Sequence, residues 1–186
     1  MSEDFEPLHE LKAAVSRQRP YAGFFDWPER SVAERGIAAS FIEAARDEAG
    51  FPLIGLRSRA PGEDPPDCEA TDQRGALVAL EGTELVDAAA IVNAQRTVSN
   101  SWARWDSVKL REALRARISS KDEKTLKGGP YTEYIVLIHT DEPGLTIETV
   151  EHAMRGFQFA STRQIGRAYL LLSYHPGKGY PFVRLI

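Results

Sequence analysis

Asp64 to Glu84 reads DPPDCEATDQRGALVALEGTE. Asp67, Glu69 and Thr71 alternate with Cys68 and Ala70, the period of a half-buried strand. Asp72-Gln73-Arg74-Gly75 is a turn signal, with glycine available for a positive φ. Ala76 to Gly82 is then almost wholly apolar, as a central strand is, until Glu81 breaks the run and Thr83 follows two residues on. Asp67 and Glu81 are therefore expected on adjacent antiparallel strands of one hairpin, where they converge. Two carboxylates at the edge of an apolar sheet repel each other and are costly to bury unpaired. A divalent cation removes that cost, and oxygen-only ligands suit Mg²⁺.

Working outward, Ser31 to Ala49 has helical periodicity, with an apolar stripe at Ile37, Ala38, Phe41 and Ala45. Ser31-Val32-Ala33-Glu34 has the capping-box pattern, and Gly50 closes the helix. Phe51 to Ala60 reads as a strand, and Pro61 to Pro66 as the loop leading to Asp67. A helical turn or two is expected between Leu85 and Ala94. A long helix follows from Trp102 to Lys127, with Leu110, Leu114 and Ile118 as its stripe. Lys121 continues that stripe and Lys124 borders it. Tyr134 to His139 reads as a strand and Thr146 to Phe157 as a helix. Ala168 to Tyr174 and Pro181 to Ile186 form a closing hairpin. The fold class is α/β, a mixed β-sheet flanked by helices. Residues 1–30 read as an N-terminal arm, including the aromatics Tyr21, Phe24, Phe25 and Trp27, and residues 31–186 as a single domain.

Pro66-Asp67, followed after a short hairpin by Glu81-Gly82-Thr83, resembles the PD-(D/E)XK nuclease superfamily. The likeness extends to element order over Ser31 to Thr140. It implies a restriction-endonuclease-like core (αβββαβ), to which this chain adds a C-terminal helix and β-hairpin. It further implies metal-dependent hydrolysis of phosphodiester bonds in DNA or RNA, with Mg²⁺ or Mn²⁺ held by Asp67 and Glu81. A helical Glu aimed at the site is implied as well. Glu34 fits that role by direction, and it fits equally as the acid of the capping box. The sequence departs from the family at Thr83, which stands where the resemblance implies a Lys. Thr carries no charge, so Lys121 or Lys124 is expected to supply the ammonium. The catalytic candidates are thus Glu34, Asp67, Glu81, Thr83, Lys121 and Lys124. Truncating Lys121 or Lys124 is expected to abolish cleavage while leaving the melting temperature nearly unchanged.

Composition bounds these expectations. At 186 residues, 42% hydrophobic and 27% charged, the chain has material for one core. Its formal net charge of -4 excludes a uniformly basic nucleic-acid binder. From Arg96 to Lys127, however, nine Lys or Arg stand against four Asp or Glu, a local +5, which makes the helix at 102–127 the expected nucleic-acid contact. A single cysteine, Cys68, leaves no internal disulfide and suits a reducing compartment. No secretory leader or membrane-spanning run is read, so a cytoplasmic protein without membrane contact is expected. A homodimer or a larger complex stays open. The alternative to an enzyme is an inactive nuclease-like domain that binds nucleic acid or protein. No Ser lies in a G-x-S-x-G elbow, and the four histidines lack metal-ligand spacing.

Overall fold

In the computed structural model, residues 22, 29–46, 52–96 and 102–186 are described. Their elements in chain order are α1 (Arg30–Ala44), β1 (Ile54–Ser58), β2 (Cys68–Thr71), β3 (Leu77–Glu84) and α2 (Ala88–Arg96). After these come α3 (Ser107–Asp122), β4 (Glu133–Thr140), α4 (Ile147–Met154), β5 (Arg167–Leu172) and β6 (Phe182–Arg184). The six strands form one mixed sheet in the order β1-β2-β3-β4-β5-β6. β1, β2 and β3 are an antiparallel meander. β3, β4 and β5 run parallel, and β6 returns antiparallel to β5.

The central hairpin forms where the sequence places it. Asp72 Oδ1 accepts from the Arg74 and Ala76 amides at 2.9 and 2.8 Å, and Gly75 takes φ +80°. An Asp that binds the backbone two residues on fixes such a turn, and the left-handed φ suits glycine. β3 and β4 lie inside the sheet with both faces covered, which is why LVAL and YIVLI are continuous apolar runs.

Alternation along the strands creates two cores. Val78, Leu80, Ile135, Leu137 and Tyr169 face α1, which contributes Ile37, Ala38 and Phe41. Ala79, Val136, Ile138 and Leu170 face the other way, against Leu110, Leu114 and Ile118 of α3 and Val150 of α4. Phe41 is fully buried, its ring 4.7 Å from that of Tyr169 and 5.5 Å from that of Phe182. Burying such a side chain stabilises by about 1.5–3 kcal/mol, so Phe41 fixes α1 on the sheet.

Several boundaries differ from expectation. α1 begins at Arg30, one residue inside the expected arm, and Glu29 at its N-cap makes no side-chain cap bond. The capping box of Ser31 and Glu34 therefore does not form, because Ser31 is already within the helix. α3 is shorter than residues 102–127. Asp106 caps its start by accepting from the Lys109 amide at 2.8 Å. At its other end Asp122 accepts from the Arg163, Gln164 and Ile165 amides, tying the helix end to the loop before β5. The helical spacing stops there, so Lys124 leaves the stripe and is exposed. The turn or two expected after Thr83 is a nine-residue helix, α2. Thr146 caps α4 in a reciprocal bond with Thr149, and the helix ends at Met154, short of the expected Phe157. Residues 1–21, the aromatics at 24, 25 and 27, and the expected stop at Gly50 lie outside the described residues. Among the described residues, no helix is long and apolar enough to cross a membrane.

Candidate functional site

The last residue pair of the β2–β3 ladder is Cys68 with Leu80. One step beyond it, Asp67 stands opposite Glu81. The ladder no longer supplies an acceptor there, and Asp67 Oδ2 takes the Gly82 amide at 2.8 Å instead. Both acids are buried, Asp67 at 6% exposure and Glu81 at 4%.

Glu81 points to the α3 side, where Lys121 Nζ donates to its Oε1 at 2.5 Å. Its other oxygen, Oε2, is buried and has no hydrogen-bond partner among the described residues. Burial raises the proton affinity of Glu81, and the negative charge of Asp67 raises it further. Lys121 and the Asp67 backbone amide offset part of this, and the net shift is upward. The charge of Asp67 thus acts on Glu81 across the hairpin, while the two carboxylates make their side-chain contacts on different layers, Glu81 with Lys121 of α3 and Asp67 with Arg30 of α1.

Glu34 approaches from α1, on the same helix side as Ile37 and Phe41. Its carboxylate is also raised, first by burial. Hydrogen bonding to Arg30 opposes that, and the neighbouring charge of Asp67 adds to it. Asp67 thus lies between Glu34 on one layer and Glu81 on the other. Arg30, one turn before Glu34, donates from Nε to Glu34 Oε1 at 2.5 Å. Its Nη2 lies 3.5 Å from Asp67 Oδ1 and 3.6 Å from Asp64 Oδ2. A cleft of about 620 Å³ opens here, lined by Arg30, Glu34, Arg59, Asp64 and Asp67 among others.

Of the six sequence candidates, Glu34 and Asp67 share Arg30 on the α1 side, Glu81 and Lys121 pair on the α3 side, and the charge of Asp67 acts on both acids. Thr83 is half-buried on β3, two residues past Glu81 and on the same face. Lys124 does not join them, since the helix ends before it. Two residues were missed. Arg30 was assigned to the arm, yet it is the i−4 partner of Glu34, a spacing legible once the helix start is known. Tyr134 lies opposite Ala79 in the parallel ladder, so it shares a face with Glu81. Its hydroxyl is buried without a partner among the described residues. Burial, with the charges of Glu81 and Asp67, pushes its proton affinity up. Its place in the run YIVLIH reads only as core.

The other buried acid of β2, Glu69, has a structural role. Arg57 Nε and Arg59 Nη1 donate to it at 2.9 and 2.8 Å, and the Tyr131 hydroxyl also donates. Burial alone would raise its pKa, but the Tyr131 and arginine contacts outweigh this and the net shift is downward.

The basic helix is less open than its composition implies. Lys109 pairs with Asp87 at 2.5 Å and lies over the Trp105 ring. Arg111 donates to the Ala153 carbonyl, and both it and Arg115 stand over Phe157. Arg117 donates to the Glu84 carbonyl at 2.6 Å. With Lys121 on Glu81, five cations of α3 make contacts within the fold.

Among the described residues, no group of three or more His, Cys, Asp or Glu is arranged to hold a metal ion. Asp67 and Glu81 offer oxygen donors only, and Glu81 Oε2 is a buried acceptor without a partner among the described residues, while the side-chain contacts of the two acids lie on different layers, Asp67 with Arg30 and Glu81 with Lys121. Mg²⁺ is commonly held by one or two carboxylates, with water and substrate phosphate completing its shell. No protein-family model matches this chain, and no curated protein and no solved structure matches it either.

Proposed function

We propose that this chain is a metal-dependent nuclease of the PD-(D/E)XK type, hydrolysing phosphodiester bonds of DNA or RNA. The observation that carries the reading is Lys121 Nζ on Glu81 Oε1 at 2.5 Å, beside Asp67. The charge missing at Thr83 is replaced from a different element at the same carboxylate. Asp67 and Glu81 would hold Mg²⁺ or Mn²⁺, Glu81 through Oε2. When bound, the ion polarises the phosphate and acidifies an attacking water. Lys121 stabilises the negative charge that builds on the phosphate oxygens. Glu34, with its raised proton affinity, is suited to hold the proton released by that water. Substrate enters by the cleft between α1 and the 59–67 loop, where Arg30 and Arg59 face the backbone phosphates.

The purified chain, incubated with plasmid, single-stranded DNA and RNA in Mg²⁺ or Mn²⁺, is expected to cleave at least one of them. Glu81→Gln and Lys121→Ala should each lose about 10²–10³-fold in rate. Absence of cleavage on every substrate would reject the enzyme. A second reading, a non-catalytic binding domain, is favoured by the cations of α3 being engaged inside the fold and by the formal net charge of -4. It expects binding of nucleic acid or protein without turnover.

A further inference from the structure

We infer that the groove between the C-terminal end of α1, the start of α4 and the turn before β6 is an aromatic-walled cation site whose occupant is an arginine side chain carried by a basic peptide segment. This goes beyond the nuclease reading and does not depend on it, since none of the residues that build the groove belongs to the candidate site.

The groove has a volume of about 500 Å³, and its aromatic lining comes from Tyr174, Tyr180 and Phe182. Tyr174 and Tyr180 flank a turn closed by His175. The His175 amide donates to the Gly179 carbonyl at 2.7 Å, and its carbonyl accepts from the Lys178 amide at 3.0 Å. The turn holds the two tyrosine rings 5.5 Å apart at 69°. An edge-to-face pair leaves ring face uncovered by its partner, and Tyr174 is 54% exposed. Lys109, Arg111 and Arg115 each stand over an aromatic ring elsewhere in the fold, whereas no described cation stands over Tyr174.

Charge points the same way. Glu43 of α1 and Glu151 of α4 line the groove. Both are exposed, and neither makes an ion pair or a side-chain hydrogen bond with another described residue. Lys178, the base in the lining, lies 3.8 Å from Glu148, which is outside the lining. The last turn of α1 carries no basic residue, so the negative end of that helix dipole favours a cation from elsewhere. The positive end of α4 is answered by Glu148 in its own first turn. A cation over a tyrosine face is attracted by the ring quadrupole, and here the carboxylates add to it. A guanidinium suits this lining better than an ammonium, because its plane stacks on a ring while its donors fork a carboxylate. Sites for free small ligands bury most of the ligand surface. Glu43, Glu151 and Tyr174 are all exposed, so a side chain on a longer segment fits this groove better than a free cation.

Chemical-shift mapping on the full chain tests this, with the peptide acetyl-Gly-Arg-Gly-amide as probe. The control is the same peptide with citrulline, the neutral isostere, in place of arginine. The arginine peptide should shift the Tyr174, Lys178 and Tyr180 amides saturably, and the citrulline peptide should not. Tyr174→Ala should weaken binding roughly fivefold, the scale of an exposed cation–π contact, while Tyr174→Phe keeps the ring and should bind as wild type does. Glu43→Gln and Glu151→Gln should each weaken it roughly twofold, as loss of an exposed charge contact does. All three positions are exposed, so these variants should keep the wild-type melting temperature. Absence of shifts around the groove overturns the inference. Equal shifts with the citrulline peptide, or wild-type affinity in Tyr174→Ala, overturn it as well. None of these readouts involves cleavage, so failure here and failure of the nuclease reading are told apart.

Discussion

Lys121 Nζ and Glu81 Oε1 meet at 2.5 Å although 40 residues separate them in the chain. The ammonium is 17% exposed and the carboxylate 5%. α3 brings the cation over the sheet, and β3 carries the acid beneath it. The pair is the joint between the two layers at the candidate site.

Lys121→Ala takes from the buried Glu81 carboxylate the cation that pairs with it. Removing one partner of a buried pair typically costs about 3–5 kcal/mol, so the melting temperature should fall, contrary to what the stripe position alone implies. Protonation relieves the penalty. Glu81's folded-state pKa lies above its ordinary value of 4.5, so the loss should be small below that value and grow as pH rises through the folded pKa. Melts of both proteins across pH 4 to pH 8 check this, and a pH-independent difference would contradict it.

Glu81→Gln and Glu69→Gln should have opposite signs. A carboxylate with a raised pKa favours the fold below its unfolded pKa, and that contribution is lost as pH rises through the folded value. Glu81→Gln should therefore match wild type in acid and exceed it in stability at neutral pH. Glu69 has a lowered pKa. Its contribution is present above the unfolded value and is lost as pH falls through the folded one. Glu69→Gln should be less stable than wild type at neutral pH and converge with it in acid. Urea midpoints at several pH values distinguish the two cases.

Mn²⁺ at about 100 times its dissociation constant should stabilise the wild type by about 2.7 kcal/mol through mass action. Glu81→Gln should show little or none of this. Equal shifts in both proteins would place the ion elsewhere.

Phe41→Ala should cost about 3–5 kcal/mol, since the side chain is fully buried against Tyr169 and Phe182. α1 carries Arg30 and Glu34, so the same change should also lower the cleavage rate. Urea unfolding gives the first quantity and a cleavage assay the second. An unchanged rate would mean that α1 does not support the site.

Local chemistry determined much of this protein. Alternation and apolar runs specify β2, β3 and β4, because a strand's faces repeat every two residues. Asp72 and Gly75 specify the turn, and with it the register that sets Asp67 opposite Glu81. The stripes of α1 and α3 specify which helix face is buried, and the stripe of α3 also points Lys121 at the sheet. Tertiary structure decided the rest. Where α3 stops is set by Asp122 binding amides 41 to 43 residues away, and no local signal encodes that partner, so Lys121 was legible and the exclusion of Lys124 was not. Ser31 and Glu34 have a capping-box spacing, but the helix begins one residue earlier and Glu34 turns to Arg30 and Asp67. Tyr134 reads as a core aromatic until the parallel pairing of β3 with β4 sets it on the face of Glu81. Periodicity reports which face of an element is covered. Which charges meet there depends on contacts between elements distant in the chain.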